Sequence, residues 1–111
     1  MSDVLDEVLL AELKDLMAEE FPSLLETFLE DAARHFAGAC AAWEDTDFTN
    51  LRISAHSLRG SSGNVGATSL QAACEVLEES ARDTDGTNID AQLAAVKTQI
   101  DNAREALLAH R

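Results

Sequence analysis

The sequence predicts an all-α fold: an antiparallel four-helix bundle with a short extra N-terminal helix, formed by a single domain over residues 1–111. Three observations carry that expectation. Alanine, leucine and glutamate dominate, whereas the chain holds one proline, no tyrosine and few β-branched runs. Apolar residues recur at steps of three and four rather than two, the period of a helix buried along one side. At 111 residues the chain is long enough for one hydrophobic core and too short for two.

Five helical segments follow in order. The first, about residues 3–20, starts after a Ser2 cap and carries Leu5, Leu9, Leu13 and Leu16 along one side. Val8, Leu10 and Met17 lie off that stripe, so this helix either wedges between two neighbours or keeps a face for a partner. Pro22 suits the first turn of a second helix reaching about Glu44, with Leu25, Phe28, Leu29, Ala32, Phe36, Ala39 and Trp43 turned inward. The acidic stretch EDTD breaks the pattern, and Thr46 or Asp47 caps a third helix to about Val65, ended by a left-handed Gly66. A fourth helix, after Thr68, aligns Leu70, Ala73, Cys74, Leu77 and Ala81, and RDTDGTN is the clearest loop. After Asn88 the last helix sets Ile89, Leu93, Val96, Ile100, Ala103 and Leu107 in a heptad-like seam. That seam suits either a coiled-coil dimer or the inside of a bundle. With only about three heptads, and four other amphipathic segments competing for the same face, the intramolecular seam and a monomer are expected.

Charge narrows the function. The net charge of −13 repels nucleic acid phosphates and anionic lipid headgroups, so neither nucleic acid nor membrane is expected as a partner. MSDVLDEVLL lacks the basic start and cleavage site of an export signal, and no apolar run approaches about 18 residues. A cytoplasmic protein is expected. Cys40 and Cys74 lack metal-ligand spacing and fall on apolar stripes, which reads as two reduced core residues, a disulfide being the less favoured alternative.

The third helix carries the chemistry, in the stretch AHSLRGSSGNVGA. At 100° per residue, Arg52, Ile53, Arg59, Gly60 and Gly63 all fall within about 60° of His56. Leu51, Ser54, Leu58, Ser61, Ser62 and Val65 lie about 120° or more away and form the packed side. Glycine in a helix costs up to about 1 kcal/mol relative to alanine, and here two glycines clear side chains from the surface beside the ring. Arg52 and Arg59 are the only Lys or Arg residues between positions 35 and 81, so they make a local anion-friendly patch in an acidic chain. A neutral imidazole is a good nucleophile near pH 7, and cations beside it stabilise a transferring phosphoryl group. A single exposed histidine is by itself usually just solvated; its neighbours make the difference.

The stretch HSLRGSSGNVGATSLQAACEVLE, residues 56–78, resembles the signature of bacterial histidine phosphotransfer domains. Their pattern reads roughly H-x-L-K-G-S-S-x-x-x-G-A, followed by a helix with Leu, Cys and Leu-Glu. The resemblance implies that His56 is phosphorylated on its outward ring nitrogen. Gly60 would be the small residue that lets a receiver domain dock. Arg59 stands where the family usually has lysine and would be the phosphate-stabilising cation, a planar fork in place of a compact ammonium. Glu78, where some members carry glutamine, would hydrogen-bond the imidazole from the next helix. The implied partners are the receiver domains of a hybrid sensor kinase and of a response regulator. The chain needs no cofactor of its own, Mg²⁺ being held by the receiver. Docking would use Arg52, Ile53, Gly60 and Gly63 together with Leu10 and Met17 of the first helix.

No GxxxxGK[ST] loop is present, so a free-standing phosphoryl carrier rather than an enzyme is expected. Three rivals remain. An adaptor bundle would bind a receiver or other regulator without accepting phosphate. A metal-binding bundle needs Glu-x-x-His pairs, and the residues three before His35, His56 and His110 are Ala32, Ile53 and Leu107. A hydrolase would need an acid partner and a nucleophile elbow for Ser61 or Ser62, and neither is recognisable.

Overall fold

The computed structural model describes residues 4–110 and holds, among them, five α-helices, one 3-10 turn and no strand. Helix α1 spans Glu7–Met17 and runs through the 3-10 turn Ala18–Glu20 into α2, Phe21–Glu44. Helices α3, Phe48–Asn64, α4, Thr68–Arg82, and α5, Ile89–Leu108, follow.

The start and the face of α1 differ from expectation. Ser2 and the expected first helical residue, Asp3, lie outside the described residues, and α1 begins only at Glu7, where the Asp6 side chain accepts the Leu9 N–H at 3.1 Å. The reason is tertiary. The Asp6 N–H donates to the Gly66 carbonyl at 2.7 Å, which ties the incoming chain to the α3–α4 turn before the helix begins. That anchor sets the rotation of α1. Leu10 is 1% exposed, Leu13 and Met17 pack half-buried against the core, and Leu16 is 83% exposed. The inward stripe is therefore Leu10, Leu13 and Met17, and Leu16 joins Val8 on the solvent side.

The other helices follow the sequence closely. Pro22 stands in the first turn of α2, where its missing N–H has no partner to lose. Phe21 and Ala42 join the expected buried set on α2, while Phe36 and Trp43 are half-buried. Trp43 stays at the edge because its Nε1–H donates to Asp90 Oδ1 at 2.8 Å on α5, while its ring meets Phe48 edge-on at 5.7 Å. Asp47, rather than Thr46, caps α3, accepting the Asn50 N–H at 3.0 Å. Gly66 takes φ +73° just past α3, and a Cβ there would stand 3.2 Å from the Asp6 carbonyl oxygen.

Helix α3 packs on α2 and α4, α4 on α5, and α5 back on α2, which closes a four-helix bundle. Every apolar residue of the α5 seam is buried inside it, so that stripe is spent within the chain. Helix α1 is fastened to the end where the α3–α4 turn and the C-terminus of α5 meet, with His110 Nε2 3.2 Å from Glu7 Oε2. Cys74 is fully buried and Cys40 half-buried, and both are free thiols rather than a disulfide. Burial, reinforced by the Glu78 charge, pushes the Cys74 thiol up to about 12. Among the described residues no helix is long and apolar enough to cross a membrane.

Candidate functional site

Packing along α3 decides what it shows to solvent. Leu51, Ala55, Leu58 and Ser62 are buried, which turns His56 outward with its side chain 62% exposed. Ser61 and Ser62 donate their hydroxyls to the carbonyls of Ser57 and Leu58 at 3.0 and 2.6 Å, so both satisfy themselves one turn back. This lets a polar residue sit fully buried against the neighbouring helices, and it leaves neither hydroxyl poised as a nucleophile.

Helix α4 supplies the partner of His56. Glu78 Oε2 lies 2.8 Å from His56 Nδ1, and its other oxygen, Oε1, lies 3.0 Å from Arg59 Nε. Arg59 Nη2 also stands 3.3 Å from Nδ1. A guanidinium only donates and a carboxylate only accepts, so one ring nitrogen cannot hydrogen-bond both. In the neutral ring the shorter, charge-assisted contact favours the tautomer in which Nδ1 carries the proton and donates to Glu78, which puts the lone pair on Nε2. Glu78 Oε1 is buried and accepts no aligned hydrogen bond, so its tie to Arg59 is chiefly Coulombic. With Glu78 only 13% exposed, that attraction is less screened than in a surface pair.

Beside the ring is an open depression of about 300 Å³ lined by Arg52, Ile53, His56, Ser57 and Glu78. Arg52 is exposed, and Ile53 is 51% exposed. Gly60 is exposed with nothing within 4 Å of the place a Cβ would take, so it keeps the surface beside His56 flat.

Three expected docking residues need correction. Leu10 is a core residue and offers nothing at the surface. Met17 is half-buried against the same core. Gly63 is a packing glycine, because a Cβ there would stand 2.8 Å from Gln71 Nε2 on α4. The wheel placed Gly63 on the His56 face but carried no information on where α4 crosses. Sequence reasoning missed Ser57, which lines the depression about 100° round from His56, and the exposure of Leu16 on α1, whereas Val8, read as lying off the buried stripe, is exposed. Among the described residues no group of three or more His, Cys, Asp or Glu is gathered to hold a metal.

A bundle that turns a histidine out to solvent, with a carboxylate on one ring nitrogen and arginines nearby, defines a class of helical modules suited to carry a group on an imidazole. The Hpt domain family model matches residues 23–107, and the chain belongs to that family, the phosphotransfer proteins of phosphorelays. Among solved structures it is similar to histidine-containing phosphotransfer protein B (HptB) from Pseudomonas aeruginosa PAO1. The TM-score is 0.95 at 33% identity, over 99% of this chain and 96% of that one. A rice protein described as a histidine-containing phosphotransfer protein shares the fold, with a TM-score of 0.86 at 22% identity over 96% of this chain and 79% of that one. No match was found among curated proteins.

Proposed function

We propose that His56 is the phosphoacceptor of a phosphorelay, taking a phosphoryl group from a receiver-domain aspartate of a hybrid sensor kinase and passing it to a response regulator aspartate. The observation that carries this reading is the 2.8 Å approach of Glu78 Oε2 to Nδ1 of a ring whose side chain is 62% exposed, which engages one ring nitrogen and leaves Nε2 as the one to react. In the receiving step the Nε2 lone pair forms the N–P bond as the acyl P–O bond breaks. The departing aspartate keeps the electron pair, and the imidazole becomes cationic while retaining its Nδ1 proton. Glu78 opposes that positive charge, so it favours the product as well as orienting the ring.

Gly60 gives the receiver's reacting edge a flat approach, with Ile53 as an apolar contact. The receiver supplies Mg²⁺, and the chain works in the cytoplasm as a monomeric carrier with neither a kinase activity nor a cofactor of its own. Neither nucleic acid nor membrane is a partner, consistent with the net charge of −13.

The test is transfer of ³²P from a phosphorylated receiver domain to the chain and to a His56→Gln variant. An acid-labile, base-stable label that vanishes in the variant is the expected result. Binding of receivers without any label would replace this reading with that of an adaptor.

A further inference from the structure

Two arginines flank His56 in the sequence, and the fold puts them in different situations. Arg59 is engaged: its Nε is 3.0 Å from Glu78 Oε1 and its Nη2 meets the ring at Nδ1, the nitrogen already bonded to Glu78. Its charge is opposed by a carboxylate, and its contact with the ring is at Nδ1 rather than at Nε2. Arg52 is exposed, and among the described residues it forms neither an ion pair nor a hydrogen bond. It lies four residues before His56, a spacing that puts two side chains on one helix face with Cβ atoms about 5–6 Å apart. It also lines the same open depression as His56.

We infer that Arg52 is the residue that grips the phosphoryl oxygens during transfer and on phosphorylated His56, while Arg59 is a positioning residue acting through Glu78. This rests on the reading of His56 as the acceptor. The group that moves carries about two negative charges and presents terminal oxygens, a target that the planar guanidinium fork fits with two parallel hydrogen bonds. An arginine with no carboxylate to release meets that dianion without first breaking an ion pair. Arg59 instead holds Glu78 in place, and Glu78 fixes the Nδ1–H tautomer. In the transfer itself, N–P bond formation and P–O bond cleavage proceed as described above, and Arg52 gains and loses hydrogen bonds only.

The experiment uses two phosphoryl donors on the full chain: phosphoramidate, which has no docking surface, and a phosphorylated receiver domain. Arg52→Ala is expected to slow labelling by both donors on the order of 10- to 100-fold, with Arg52→Lys recovering part of the rate. Circular dichroism of Arg52→Ala should be unchanged, since the side chain is exposed. The ¹⁵N spectrum of the His56 ring separates the two arginines. The Nδ1–H tautomer should persist in Arg52→Ala and become mixed in Arg59→Ala. Wild-type labelling of Arg52→Ala by phosphoramidate overturns the inference, as does slowing confined to the receiver donor, which would make Arg52 a docking contact. Label that persists in His56→Gln, or its absence from the wild-type chain with both donors, overturns the acceptor reading itself and is seen without any arginine variant.

Discussion

The Glu78 side chain reaches His56 across 22 positions of sequence and from a different helix, and in the proposed transfer this contact selects the ring nitrogen that reacts. Glu78→Gln keeps an oxygen that accepts the Nδ1 proton and loses the charge that opposes the phosphorylated imidazole and Arg59. Glu78→Leu loses both. Removal of a group that orients a metal-bound histidine typically costs about 10- to 100-fold, and the same scale is taken for His56. We therefore expect transfer from a phosphorylated receiver to fall by about 10-fold or less in Glu78→Gln and toward about 100-fold in Glu78→Leu, read as initial rates. His56, Arg59, Gly60 and Glu78 were all named by the sequence, because a short signature places them. The signature also implied the contact of Glu78 with the imidazole, but not the 3.0 Å approach of Arg59 to Glu78, which depends on how α3 and α4 pack.

At the scale of elements, α1 separates what a periodic pattern says from what it leaves open. Its leucines and their apolar neighbours form two overlapping stripes, and both satisfy a spacing of three and four. The Asp6 bond to Gly66 selects the rotation that buries Leu10 and exposes Leu16. Leu10→Ala should then destabilise the fold by about 2–5 kcal/mol, the usual loss for a buried leucine, whereas Leu16→Ala should change it by less than about 0.5 kcal/mol. Urea unfolding of both variants measures the difference, and equal losses would contradict the rotation seen here. Helices α2 to α5 each have one dominant stripe. Their buried faces were legible in outline: Phe36, Trp43 and Ala73 are only half-buried and Phe21, Ala42 and Ala55 join the core, the place of Trp43 depending on the bundle edge and the Trp43–Asp90 bond.

For the whole molecule, stability should decline at both ends of the pH scale. Hydrogen bonds from Asn50 hold the Asp47 carboxyl below its ordinary 3.8, and those from Thr87 do the same for Asp85. Their folded-state values are depressed, so their contribution is present above 3.8 and is lost as pH falls through the folded values. At the alkaline end, an unfolded Cys74 ionises near 9.0 and the folded one near 12. The unfolded chain therefore releases that proton first, and stability falls progressively across that interval. Thermal melts from pH 2 to 11 should show both declines. Cys74→Ala should weaken the alkaline one, leaving the smaller part due to Cys40, whose thiol burial and Glu44 also push up, and in Asp47→Ala the deficit at pH 7 relative to the wild-type chain should shrink as the pH drops below 3.8.

By itself the sequence determined the all-helical fold, the four bundle helices, the α5 seam and the identity of the histidine face. Each of these rests on local periodicity, on a cap or on a short signature. Only the tertiary structure decided the rotation of α1, the reassignment of Gly63 from docking surface to helix packing, and the commitment of Arg59 to Glu78 while Arg52 stays unpaired. Those outcomes depend on which residues of distant helices meet. A helical wheel fixes directions around one axis and says nothing of where the next axis passes.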